Sequence, residues 1–358
     1  MSKKFAAWLF LLMLAAALSA STALAQDGQQ VASSGTLPAS WHLNGIQHIY
    51  QGWNNCGPAT LTMGLTYFGF KNDQYPAAQW LKPNSEDKNV SPWQIVDYVN
   101  NQIHGTVKAL DRQGGTLDRL KQLISNNFVV IIEEGYDPPG KNLGWMGHYL
   151  LLSGYDDDSG QFTSQDSYEG PNVMVPYTTE SQYWEHFNHL YLVLYDGSRE
   201  AELMSLLGSD ADEHQNSYNA LVGATDAARA NASDPFAWFN IGTNYVALGD
   251  YDKAAAAYDQ ARNLGLPWRM MWYQFGPFQA YYQVGRFQDM IDLAQANLND
   301  GGGQYVEETF YYGGLAREGL GQNDRAISNF DGALAFNPNF TPAREARDAL
   351  AAKMGSGS

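Results

Sequence analysis

Cysteine is almost absent, with Cys56 the only one in 358 residues. One thiol excludes an internal disulfide framework, so the fold rests on its packed core. Basic residues are also scarce, at 21 Lys and Arg against 38 Asp and Glu, for a net charge of −17. A field of that sign repels phosphate backbones and anionic lipid, which argues against nucleic acid and membrane surfaces as partners. It also keeps a protein soluble, and that reading carries most of the weight. Beyond residue 25 no apolar run approaches the roughly 18 residues that span a bilayer.

The first 25 residues differ from the rest. Lys3 and Lys4 form a positive start, Phe5 to Leu18 an apolar run, and Ala23-Leu24-Ala25 a small-x-small cleavage site before Gln26. The pattern predicts a signal peptide that is removed, leaving 19 basic residues against 38 acidic ones. The expected location is extracellular or at the cell envelope, with no membrane insertion after removal. In an exported protein an unpaired cysteine is used between chains or kept for its reactivity.

Up to Asp196 short β-rich runs alternate with turns, among them Asn127 to Ile132, Gly147 to Leu152 and Leu190 to Tyr195. After Gly197 the chain becomes alanine-rich and helical in pattern. Gly249, Gly285 and Gly321 recur at intervals of 36 residues, each in a turn between helical runs. Trp238, Gly242, Tyr245, Ala254, Tyr258, Ala261 and Pro267 make one unit, and Phe310, Gly314, Ala326, Phe330, Ala333 and Pro338 another. This resembles the tetratricopeptide repeat, whose usual period is about 34 residues. The middle unit departs from it, with Met290, Ala294 and Asn297 where the first has Ala254, Tyr258 and Ala261. Segments at Ser217 to Ala230 and Pro342 to Lys353 are expected to cap the stack.

The chemistry is concentrated in residues 36 to 196. Cys56-Gly57-Pro58 opens a helical run that closes at Gly69, which puts the thiol at a helix N-terminus. Unpaired amides and the helix dipole there favour thiolate, the attacking form. The competing use is a small buried side chain filling a gap. Of the seven histidines, His148 stands out because Gly147-His148 opens an apolar strand. A turn at Asp156 to Gly160 then leads to a second strand, Gln161 to Asp166. A hairpin centred on Asp157 sets His148 opposite Asp166, and one centred a residue later makes Asp166 its diagonal neighbour. The acidic run Asp156 to Asp158 lacks the alternating spacing of a calcium loop and reads as a turn. No metal or cofactor is expected.

Gln51 followed by Cys56-Gly57-Pro58-Ala59, then Gly147-His148-Tyr149, Gly154-Tyr155-Asp156 and Asp166-Ser167, resembles the stand-alone exported relatives of the bacteriocin-processing cysteine peptidases. These are papain-like, and the resemblance covers about residues 36 to 196. It implies an α+β domain, with Cys56 as nucleophile, His148 as general base and acid, Asp166 as the orienting third member and Gln51 as an oxyanion donor. Gln51 lies five residues before the cysteine, where many papain-like enzymes have six. Trp53 and Trp145 flank the pair in sequence and are candidates for the cleft wall or the core.

The expected organisation is a signal peptide at 1–25, a flexible lead at 26–40, a papain-like domain at 41–196 and a linker at 197–216. An all-α tetratricopeptide-like solenoid follows at 217–353, with a disordered tail at 354–358. The expected function is hydrolysis of a peptide or protein substrate by a thiol peptidase or amidohydrolase, with the repeats available to a protein partner. The alternative is an idle papain-like binding module whose repeats form an interaction scaffold.

Overall fold

The computed structural model describes residues 36–137 and 140–356. The expected signal peptide and residues 26–35 of the lead lie outside the described residues.

The apolar runs of the first half assemble into one antiparallel sheet. Strands β1 (Ser40–His42), β2 (Val107–Arg112), β3 (Val129–Tyr136), β4 (Met146–Asp156), β5 (Gln161–Asp166), β6 (Gly170–Pro176) and β7 (Tyr191–Asp196) form it. Their order is β2-β7-β3-β4-β5-β6, with β1 paired to β4. β3 is buried along its whole length, as a central strand covered on both faces must be. The expected strands at 127–132, 147–152, 161–166 and 190–195 correspond to β3, β4, β5 and β7. The sequence reading did not find β1, β2 or β6.

Helix α1 (Cys56–Thr66) lies on the sheet and is buried from Gly57 to Thr66. Gly64 permits this approach, since a Cβ there would stand 2.7 Å from Leu194 Cδ1. Shorter helices α2 (Tyr75–Leu81), α3 (Pro92–Asp97), α4 (Leu117–Ser125) and α5 (Tyr177–Trp184) complete the α+β domain.

The stretch expected as a linker is ordered, with α6 at Glu200–Leu207. Arg112 from the sheet holds it, donating to the carbonyls of Asp210 at 2.7 Å and Ala211 at 2.6 Å. A pre-repeat helix α7 (Glu213–Ala230) leads into three helix pairs. These are α8 (Pro235–Ala247) with α9 (Tyr251–Leu264), α10 (Gly276–Gln283) with α11 (Phe287–Asn299), and α12 (Glu307–Gly319) with α13 (Asn323–Phe336). A final helix, α14 (Thr341–Ser356), extends through residues 354–356 of the expected disordered tail. Gly249, Gly285 and Gly321 have φ of 75°, 73° and 73°, the left-handed conformation that lets each pair turn.

The irregular middle unit has a steric explanation. In the outer units a glycine admits a large ring from the paired helix: a Cβ at Gly242 would lie 2.7 Å from Tyr258, and one at Gly314 2.5 Å from Phe330. The equivalent positions of the middle pair carry Phe278 and Ala294, both buried. Large and small have exchanged helices, which keeps volume at the contact roughly constant.

The repeats pack against the sheet domain within one compact unit spanning Leu37–Ser358. Asn337 and Asn339 donate to the carbonyls of Leu81 at 3.1 Å and Trp80 at 2.9 Å. At the other end Asn240 donates to Glu185 O at 2.8 Å. No described helix is long and apolar enough to cross a membrane.

Candidate active site

Cys56 opens α1, and the residue before it leaves the helix end unoccupied. Asn55 provides no side-chain cap, because its Oδ1 accepts instead from the buried Lys82 Nζ at 3.4 Å. The first-turn amides therefore remain available near the sulfur. Cys56 is half-buried. Burial pushes its thiol up, but the hydrogen bond and charge of His148, with backbone hydrogen bonds at Tyr149 and Gly57, outweigh this and hold it below its ordinary value.

His148 projects from β4 and is 6% exposed. Its Nε2 lies 2.9 Å from Asp166 Oδ1, which leaves Nδ1 for the thiol. Burial disfavours the imidazolium, yet Asp166 and Cys56 together hold the imidazole well above its usual range. Asp166 Oδ1 also accepts from the backbone of Tyr168 at 2.7 Å and Glu169 at 3.1 Å. Burial raises this carboxyl, and those bonds with His148 bring it below the usual carboxylate range. A lowered thiol beside a raised imidazole favours the thiolate–imidazolium pair.

The hairpin register decides how the acid reaches the ring. Leu151 pairs with Gln165 and Leu152 with Ser164, followed by a bulge before Gly154 pairs with Thr163. Asp166 is thus the diagonal neighbour of His148, as a centre one residue beyond Asp157 predicts. The Asp156 run is a turn, in which Asp156 Oδ1 accepts from Asp158 N at 2.9 Å.

Gln51, Trp53, Cys56, His148 and Tyr168 line a cleft of about 470 Å3. Gln51 is positioned by Ser167, to which the sequence motif assigned no role. Ser167 donates to its Oε1 at 2.9 Å, and Gln51 N donates to Ser167 O at 2.8 Å. The Nε2 of Gln51 is then left as the cleft-side donor. The pairing Asp166-Ser167 was visible in the sequence, but the bridge to Gln51 depends on the fold.

Trp53 and Trp145 separate in role. Trp53 lines the cleft and is 67% exposed. Trp145 is buried and stacks on Phe187 at 5.8 Å between centroids. Two half-buried histidines are depressed rather than raised: partial burial pushes His186 and His189 down to about 4. Beneath the thiol, burial and the charge of Cys56 push the Glu133 carboxyl well above the usual range.

One wall comes from the repeats. Tyr273, between α9 and α10, lines the same cleft. In the same segment Arg269 donates to Leu143 O at 2.9 Å and Gln274 donates to His186 O at 2.9 Å. Neither tie was legible from residue spacing.

Residues 42–192 match the profile described as the Peptidase_C39 like family, and residues 235–265 match the Tetratricopeptide repeat. No curated protein matches the chain. Among solved structures, a putative C39-like peptidase from Bacillus anthracis is 16% identical over 44% of this chain and 98% of its own, with a TM-score of 0.33. A double glycine motif protease from an AMS/PCAT transporter, in complex with the leader peptide, is 14% identical over 44% of this chain and 94% of its own, with a TM-score of 0.33. The MamA RS-1 ArsTM double mutant is 17% identical over 43% of this chain and 84% of its own, with a TM-score of 0.35.

Proposed function

The chain joins a C39-like peptidase domain to tetratricopeptide-like repeats, and from that premise we propose that it is an exported thiol hydrolase acting on peptide or protein amides. The observation that carries this reading is the approach of His148 to both Asp166, at 2.9 Å, and the Cys56 thiol. Export is inferred from the charged and apolar pattern of residues 1–25.

In the proposed cycle the Cys56 thiolate attacks the carbonyl carbon and a C–S bond forms. The developing oxyanion accepts from Gln51 Nε2 and from an α1 backbone amide. In hydrolases, removal of one such donor costs about 2.7–4 kcal/mol of barrier stabilisation. The C–N bond then breaks as the His148 imidazolium gives its proton to the departing amine. Neutral His148 next takes a proton from water, whose oxygen attacks the thioester and releases acid and thiol. Asp166 keeps Nδ1 toward sulfur and stabilises the imidazolium.

The deciding measurement is the rate of Cys56 alkylation by iodoacetamide from pH 4 to 9, in the full-length chain and in His148→Ala. Fast labelling well below the free-thiol pKa of about 8.5, lost with the imidazole, supports the activated pair. Labelling that only rises through that pKa in both proteins would retire the hydrolase in favour of an idle binding module.

A further inference from the structure

The cleft around Cys56 carries a charge that the proposed cycle does not use. Lys88 lines it, and among the lining residues it is the only Lys or Arg. None of those residues is Asp or Glu, although the chain holds 38 acidic residues against 21 basic ones. The cleft wall thus reverses the sign of the chain as a whole. A second cation stands behind the same wall, where Arg269 donates to the carbonyl of the cleft-lining Leu143 at 2.9 Å.

The Lys88 ammonium sits at that wall and is poorly paired. Its Nζ stands 5.2 Å from the centroid of the exposed Trp53 ring. With the Asn54 amide turned so that both of its ends are satisfied, Asn54 Oδ1 accepts from Nζ at 2.8 Å. Trp53 and Asn54 both line the cleft. The nearest carboxylate oxygen among the described residues, Glu86 Oε2, lies 3.9 Å away, beyond hydrogen-bond length, and it accepts from Trp53 Nε1 at 3.3 Å. An ammonium carries more donors than Asn54 accepts from. The Lys88 side chain keeps only 16% of its surface exposed, so a partner there is less screened than at the open surface. Burial pushes the ammonium below its ordinary value, opposed by Glu86 and Asp87 and aided by Arg269.

We propose that Lys88 selects substrates carrying a carboxylate close to the scissile amide, with its ammonium donating to that carboxylate. The proposal rests on the thiol-hydrolase reading and names the substrate class of the same site. A charge-assisted bond supplies the partner that the protein withholds from Nζ. A cationic side chain would meet Lys88 and no carboxylate in the cleft wall, and a neutral one would leave the spare donors unfilled. Discrimination of this kind depends on what the wrong substrate leaves unpaired.

The carboxylate has two sources, an acidic side chain or the C-terminal end of a peptide. Two pairs of affinity labels separate them on the full-length protein, whose only thiol is Cys56. Iodoacetyl-Gly-Glu-amide against iodoacetyl-Gly-Gln-amide reads the side chain, and iodoacetyl-Gly-Gly against iodoacetyl-Gly-Gly-amide reads the terminus. Both members of a pair deliver the same reactive carbon, so the acid-to-neutral ratio of labelling rates at low salt cancels the reactivity of the thiol. Repulsion by the net charge of −17 alone sets that ratio below one. The expected ratio is about ten in at least one pair, the scale of one hydrogen bond to a charged group. A raised ratio in the first pair alone identifies an acidic residue, and in the second alone a peptide terminus. Lys88→Gln should bring the ratio to one or below, and Lys88→Arg should keep most of it. Ratios near or below one in both pairs, or a raised ratio that Lys88→Gln leaves unchanged, would overturn the carboxylate assignment even where iodoacetamide reveals an activated thiol. A ratio that depends on Lys88 beside a thiol that His148 does not activate would overturn the hydrolase alone and keep Lys88 as a carboxylate-binding residue.

Discussion

Tyr273 lies against the α-carbon of Gly147, the residue immediately before His148. A Cβ at position 147 would stand 2.7 Å from Tyr273 Cδ1 and 2.9 Å from Phe187 Cζ. A ring from the repeats therefore sets how β4 presents the histidine, and only glycine leaves it room. The repeats are consequently part of the cleft.

Gly147→Ala is expected to lower the alkylation rate of Cys56 about tenfold and to destabilise the chain by about 1–3 kcal/mol, the usual cost of overpacking. Adding Tyr273→Leu should recover part of both losses, because neighbours in contact do not act additively. Thermal melts and labelling rates of the two single variants and the double check this. Strict additivity would show that the contact carries no coupling.

Asp166→Asn removes the charge while keeping an acceptor of similar shape. In a serine protease triad the same change lowers kcat about 10⁴-fold. Here His148 should titrate lower and the thiol higher, since each is held in place by the other's charge. The pH–rate profile of alkylation should therefore narrow from both sides. A profile that keeps its width would show that Asp166 does not sustain the ion pair.

Ser167→Ala should release Gln51, whose Oε1 loses its donor at 2.9 Å. If Gln51 acts on the oxyanion, turnover of a peptide substrate falls roughly tenfold while iodoacetamide labelling, which builds no oxyanion, stays near the parent rate. An equal fall in both would instead indicate general damage to the site.

The sequence was most informative where local chemistry and tertiary role coincide. The helix opened by Cys56, the strand opened by His148 and the turn glycines at 249, 285 and 321 were all visible, because each follows from backbone preference. β2 was missed because Val107-Lys108-Ala109-Leu110-Asp111-Arg112 mixes charges into a strand that is largely buried, its Arg112 bound to carbonyls of a distant segment. The interface of the repeats was invisible for a similar reason. Tyr273, Asn337 and Glu308 look like ordinary helical-repeat polar and aromatic residues until the fold sets them against Gly147, Leu81 and Ser91. The middle repeat looked degenerate because a single-helix pattern cannot reveal that Phe278 and Ala294 exchange sizes across the pair.

The pH dependence of stability should report a buried pair behind the histidine. Glu134 sits opposite His148 across β3 and β4, and burial, opposed by His148 and Glu180 and aided by Asp166, pushes it up to about 7. Glu180 is pushed well above the usual range by burial and then by the charge of Glu134. These folded values exceed the unfolded one, about 4.3, so the folded chain binds more protons at intermediate pH. Their contribution to stability is present below the unfolded pKa and is lost as pH rises through about 7 and beyond. Glu180→Gln removes one of the two titrations, so its melting temperature should exceed that of the parent at pH 8 and converge with it or fall below it near pH 4. Parallel melting curves for the two proteins across that interval would show that the pair ionises without cost in the fold.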